Sequence, residues 1–120
     1  MQQFTIPGRL PGLNSIINSS RTHWAVAAKE KKEAMDYVIA YITMSKIKPV
    51  DGFAEITITC YEKDLRRDAD NVQSGANKVI LDALQKFGII ENDSRRYIKL
   101  ITPPVELDRE NPRIEVILEG

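Results

Sequence analysis

The residues best suited to chemistry run Arg66-Arg67-Asp68-Ala69-Asp70-Asn71, with Asp93 answering them downstream. Two carboxylates one residue apart share a face of an extended segment, because side chains alternate along a strand. Gathering carboxylates costs free energy unless a cation or a proton neutralises them. The cation that suits an all-oxygen cluster is Mg²⁺, usually held by one or two carboxylates plus phosphate and water. With guanidinium groups immediately before the acids, the pattern points to phosphodiester chemistry. A plainer use stands beside it: Asp pairs ahead of helices cap the backbone and complement its dipole.

Other chemistries are excluded by residue type. His23 is the only histidine, which removes a His-based zinc site and a Ser-His-Asp triad. An EF-hand beginning at Asp68 would place Val72 and Gln73 where an oxygen ligand and a glycine are needed. No glycine-rich phosphate loop is present. Carboxylate–metal chemistry or no chemistry is what remains. Around Asp93, Glu91-Asn92-Asp93 also suits a simple polar turn.

The elements that must position these groups follow from periodicity. Gln2 to Pro7 reads as a first strand, β1, with Phe4 and Ile6 on one face. Gly8 to His23 is a long loop without apolar period, a kind often functional in compact domains. Trp24 to about Lys46 is the first helix, α1, with Trp24, Ala28, Met35, Val38 and Ile42 as its apolar set, closed by Pro49. Gly52 to Tyr61 alternates as a half-buried strand, β2, with Ala54, Ile56, Ile58 and Cys60 inward. The second helix, α2, starts near Asp70 or Asn71 and ends at Phe87-Gly88. Tyr97–Thr102 and Arg113–Glu119 are the last strands, β3 and β4, separated by Pro103-Pro104 and an acidic turn over Asp108–Asn111. The expected fold is α/β (α+β): a small mixed four-stranded sheet, order β1-α1-β2-α2-β3-β4, with both helices on one face.

Composition bounds the rest. At 120 residues, 42% hydrophobic and 28% charged, the chain reads as one globular domain over 1–120. No apolar run approaches a membrane span and no signal-peptide core is visible, so a cytoplasmic setting is expected. The single cysteine, Cys60, has no internal disulfide partner and reads as a buried inert thiol. Net charge is zero, which counts against a nonspecific nucleic-acid coat. The distribution is uneven: residues 1–50 hold seven Lys/Arg against three acids, and 101–120 hold two against five. A basic N-terminal surface for a polyanion and a solvated helix face both fit that asymmetry.

The segment Arg67-Asp68-Ala69-Asp70-Asn71, followed by Ile80-Leu81-Asp82-Ala83-Leu84 and Gly88-Ile89-Ile90-Glu91-Asn92-Asp93, resembles the RusA family of Holliday junction resolvases. Length and strand–helix order agree with that family, and the polar loop with Asn14 and Arg21-Thr22-His23 is similar in character. The resemblance implies that Asp68, Asp70 and Asp93 bind Mg²⁺, with Mn²⁺ a possible substitute, and that a helix lysine assists. It implies cleavage of four-way DNA junctions, leaving a 5′-phosphate and a 3′-hydroxyl, with Arg66, Arg67, Asn14, Arg21 and Lys78 against the DNA. Two departures stand out. Asn92 occupies a place where the family often has a first acid, and α2 holds four extra residues. Counted from Asp70-Asn71 the lysine position falls on Ser74; counted back from Asp82-Ala83-Leu84 it falls on Lys78, which is preferred. The plain alternative for Lys78 is an i,i+4 ion pair with Asp82. Asp82 itself, about three turns beyond Asp70, reads as structural.

The departures leave a rival: a non-catalytic protein that clamps branched DNA. A nuclease for another branched DNA in phage replication is a further alternative. Either way a homodimer is expected, since resolving a junction takes two cuts and the chain offers one acidic cluster. The Glu55/Thr57/Thr59/Tyr61 face and a stripe of Tyr37, Tyr41 and Met44 are available for pairing, although core packing serves that stripe as well.

Overall fold

The computed structural model describes residues 1–10, 12 and 24–120, with Trp24 described by its backbone. Asn14 and Arg21, expected to meet DNA, lie outside the described residues. The chain forms β1 (Gln2–Pro7), α1 (Trp24–Met44), β2 (Ala54–Glu62), α2 (Ala69–Lys86), β3 (Ile98–Ile101), β4 (Glu106–Leu107) and β5 (Arg113–Glu119). The expected mixed α/β architecture is present with one more strand than the periodicity indicated. The added strand, β4, is two residues long and follows Pro103-Pro104, too short to show an alternation. The last expected strand is therefore β5.

Sheet order is β1-β5-β2-β3, with β4 also paired to β2. β5 is antiparallel to both β1 and β2, whereas β3 and β4 run parallel to β2. The parallel β2–β3 pairing, Ala54 opposite Ile98, requires a crossover, and α2 supplies it. One face of the sheet is apolar and buried: Phe4 and Ile6, then Ala54, Ile56, Ile58 and Cys60, then Ile114, Val116 and Leu118. Both helices cover this face. α2 contributes Val72, Ala76, Val79, Ile80, Ala83 and Leu84, the spacing of a helical stripe. α1 contributes Ala34, Val38 and Ile42, one every four residues. Ala28, expected in the same stripe, is exposed. Tyr37 and Met44 are exposed, while Tyr41 of the same stripe is half-buried and packs against the core; Tyr37 stacks edge-on against Tyr41 and donates to the Pro7 carbonyl at 2.8 Å.

The two helices stop by the same device. After α2, Gly88 takes a left-handed φ of 84°; its N–H bonds the Gln85 carbonyl, and the Ile89 N–H bonds that of Leu84. After α1, Lys46 adopts φ 54°, with Lys46 N–H on the Thr43 carbonyl and Ile47 N–H on that of Ile42. These paired bonds satisfy carbonyls that the helix end orphans, and the buried Ile47 and Ile89 seal each turn. Among the described residues no helix is long and apolar enough to cross a membrane.

Candidate metal and DNA site

The start of α2 carries the acidic pair. The helix begins at Ala69, one or two residues earlier than the sequence suggested, so Asp68 is the N-cap and Asp70 lies in the first turn. Asp68 has the extended backbone of a cap (φ −65°, ψ 141°), yet its side chain makes no capping hydrogen bond. Both carboxylates are exposed, and neither enters a hydrogen bond or salt bridge among the described residues. Backbone N–H groups and the positive end of the helix dipole lower the cost of placing two acids here. The plain capping use of Asp68 is thus unrealised, while the helix end still favours anions.

Behind the pair lies a buried network. The inward face of β2 continues one residue past its apolar run, to Glu62, which is only 5% exposed. Glu62 accepts from Arg67 Nε at 2.9 Å, and Arg9 stands 3.8 Å from the same oxygen. Arg67 Nη1 also donates to the Leu10 carbonyl at 2.9 Å. Gly12 is packed so tightly on Asn71 that an added Cβ would run into its side-chain amide. Arg67 and Gly12 thus tie the segment after β1 to the first turn of α2. Arg67 was expected against phosphate; its guanidinium is instead largely consumed inside the protein. Arg66 is the free one, with its side chain 88% exposed and a loose 3.8 Å approach to Asp64. Asp64 accepts from the Arg66 backbone N–H at 3.0 Å, which holds its carboxyl below the usual range.

An open cleft of about 310 Å³ adjoins this end of the sheet, lined by Glu62, Asp64, Arg67, Asp68 and Glu106 among others. Asp68 therefore faces a cavity rich in acid. Sequence reasoning missed Glu62 and Glu106. Glu62 was findable: extending the alternation of Ala54, Ile56, Ile58 and Cys60 by one step puts a carboxylate on a buried face. Glu106 had no such signal.

Asp93 does not join the pair within one chain. α2 has 18 residues and runs from the Glu62 end of β2 back toward the Ala54 end. Ile89 N–H bonds the Leu84 carbonyl, the Val50 N–H bonds that of Ile89, and Ala54 N–H bonds that of Tyr97. These bonds hold residues 89–97 at the far end of a helix about 25 Å long. Consistently, no group of three or more His, Cys, Asp or Glu close enough to hold a metal occurs among the described residues. Asn92, beside Asp93, accepts the Ser94 N–H at 2.8 Å and so serves its own turn.

Lys78 is exposed and free of salt bridges among the described residues. Its expected ion-pair partner, Asp82, instead meets Lys31 of α1 at 3.2 Å, a structural tie between the helices. Lys78 lies about 12 Å along α2 from Asp70, and the half-buried Ser74 lies about 6 Å along. Cys60 is buried, and burial together with the Glu62 carboxylate pushes its thiol up to about 11, which rules out a thiolate nucleophile at neutral pH. No protein-family model matches the chain, and no curated protein matches it.

Proposed function

We propose that the protein is a Mg²⁺-dependent endonuclease that nicks four-way DNA junctions, working as a homodimer in DNA recombination and repair. One observation carries the reading: Asp68 and Asp70 stand exposed at a helix start, spent neither on a cap nor on an ion pair among the described residues. Hard carboxylate oxygens beside a cleft fit Mg²⁺ or Mn²⁺. The resemblance of Arg67-Asp68-Ala69-Asp70-Asn71 and its downstream segments to RusA resolvases supplies the substrate class.

In this reading Asp68 and Asp70 hold the metal, and the third carboxylate is Asp93 from a second copy. A helix-length separation forbids Asp93 from reaching its own chain's pair, and a twofold axis between copies would create two equal composite sites. Held by these carboxylates, Mg²⁺ would lower the pKa of a water and offset charge on the scissile phosphate. Arg66 reaches phosphate from the loop before the pair, as guanidinium forks do. Arg67 holds Asp68 in place from behind through Glu62. Lys78, with Asn14 and Arg21, contacts the DNA backbone.

A second reading, a dimeric clamp that binds branched DNA without cutting it, is favoured by the lack of a metal-holding group of acids among the described residues and by Asn92. Incubating the protein with end-labelled four-way junction and with linear duplex, with and without Mg²⁺, separates the two. Paired symmetric nicks confined to the junction and to Mg²⁺ support the nuclease; a stable complex without product supports the clamp.

A further inference from the structure

At the opposite end of the sheet from Asp68, Phe53, Arg95, Ile98, Lys99 and Leu100 line a shallow groove of about 430 Å³. It lies along β3, the last strand of the sheet, whose outer edge has no strand paired to it among the described residues. Phe53 is 54% exposed and Leu100 38% exposed, an aromatic and an aliphatic side chain that both line the groove. Among the described residues no acid lines the groove. Arg95, Arg96 and Lys99 are all exposed and enter no salt bridge among the described residues. Glu55 is the register neighbour of Lys99 on β2, yet the two form no salt bridge.

We infer that this groove binds an unpaired nucleic-acid strand, with Phe53 as the stacking platform for a base and Arg95 and Lys99 against flanking phosphates. An apolar ring face flanked by unclaimed cations is the combination that holds single strands without reading their sequence. A peptide adding to the β3 edge would meet the same ring but would leave the cations without a stated partner. Charge complementarity favours the polyanion. The choice of nucleic acid over other polyanions rests on the proposed DNA-cleaving function; the groove itself does not depend on the acidic pair. Arg95 lies two residues beyond Asp93, so a strand frayed from a junction arm at that carboxylate would find the groove next to it.

The test is titration of a fluorescein-labelled oligothymidylate by anisotropy, in EDTA, with junction cleavage in Mg²⁺ assayed alongside. Phe53→Ala is expected to weaken strand binding by about fivefold or more, while Phe53→Trp retains it. Removing Arg95 and Lys99 is expected to lower the salt slope of binding by about 0.7 per cation. Circular dichroism confirms folding, which an exposed Phe53 does not endanger. Unchanged strand affinity in Phe53→Ala overturns the proposal. So does a wild type that nicks junctions but binds no free strand, a result that leaves the nuclease reading standing. If Phe53→Ala abolishes self-association while strand binding persists, the groove belongs to a second copy and the proposal falls. Strand binding through Phe53 without any junction cleavage keeps the groove and sinks the nuclease alone.

Discussion

Glu62 Oε1 accepts Arg67 Nε at 2.9 Å where the apolar face of β2 runs out, and this pair fixes the residue next to Asp68. Burying a carboxylate is costly unless it is paired, and removing one partner of a buried pair typically costs 3–5 kcal/mol. Glu62→Ala strands Arg67 and, to a lesser degree, Arg9. We expect a loss of about 3 kcal/mol in chemical denaturation, whereas Glu62→Gln, which still accepts the hydrogen bond, loses less. Equal stability of wild type and Glu62→Ala in urea would mean the network contributes nothing.

The matched helix ends provide a second prediction. Lys46 holds a left-handed φ of 54° that costs a residue with a Cβ, whereas Gly88 holds 84° without that cost. Lys46→Gly should therefore stabilise the protein and Gly88→Ala destabilise it, each by about 1 kcal/mol. Urea midpoints of the two variants moving in the same direction would contradict this.

Alkaline pH tests the burial of Cys60. Its thiol is raised from 9.0 to about 11. The native state therefore keeps a proton that the unfolded chain has already lost above pH 9. The resulting stability is complete below that pH and disappears as the pH rises through 11. Cys60→Val should show a shallower decline in melting temperature between pH 9 and 11 than wild type. Iodoacetamide should label Cys60 at pH 8 only after denaturant is added; rapid labelling of the native protein would refute the burial.

Much of the fold was legible because alternation and helical stripes report burial directly. Ala54 through Cys60 and Val72 through Leu84 announce the faces they bury. β4 was not legible, since two residues after a proline pair carry no period. The site was readable as chemistry but not as geometry. Asp68 and Asp70 are adjacent in sequence and therefore in space, whereas the position of Asp93 depends on which end of β2 the crossover returns to. A parallel pairing returns it to the start of β2, away from the pair. Arg67 illustrates the other limit: a guanidinium beside acids looks solvent-facing until a buried Glu62, one strand step beyond the apolar run, claims it.

Metal should bind the native state at the acidic pair. Millimolar Mg²⁺ or Mn²⁺ is expected to raise the melting temperature above its value in EDTA, and the shift should grow with protein concentration if two copies complete each site. Asp68→Asn/Asp70→Asn should abolish it. An equal shift in that variant would place the cations elsewhere.

The most direct measurement is subunit complementation on a labelled four-way junction in Mg²⁺. Asp70→Asn and Asp93→Asn should each be inactive alone while still binding the junction. Mixed one to one and refolded together, half the dimers carry one variant of each kind, and one of their two composite sites is intact. Nicking should return to about a quarter of the wild-type rate. A mixture as inactive as its components, beside an active wild type, would contradict a site shared between copies. A wild type that never cuts the junction would contradict the nuclease itself.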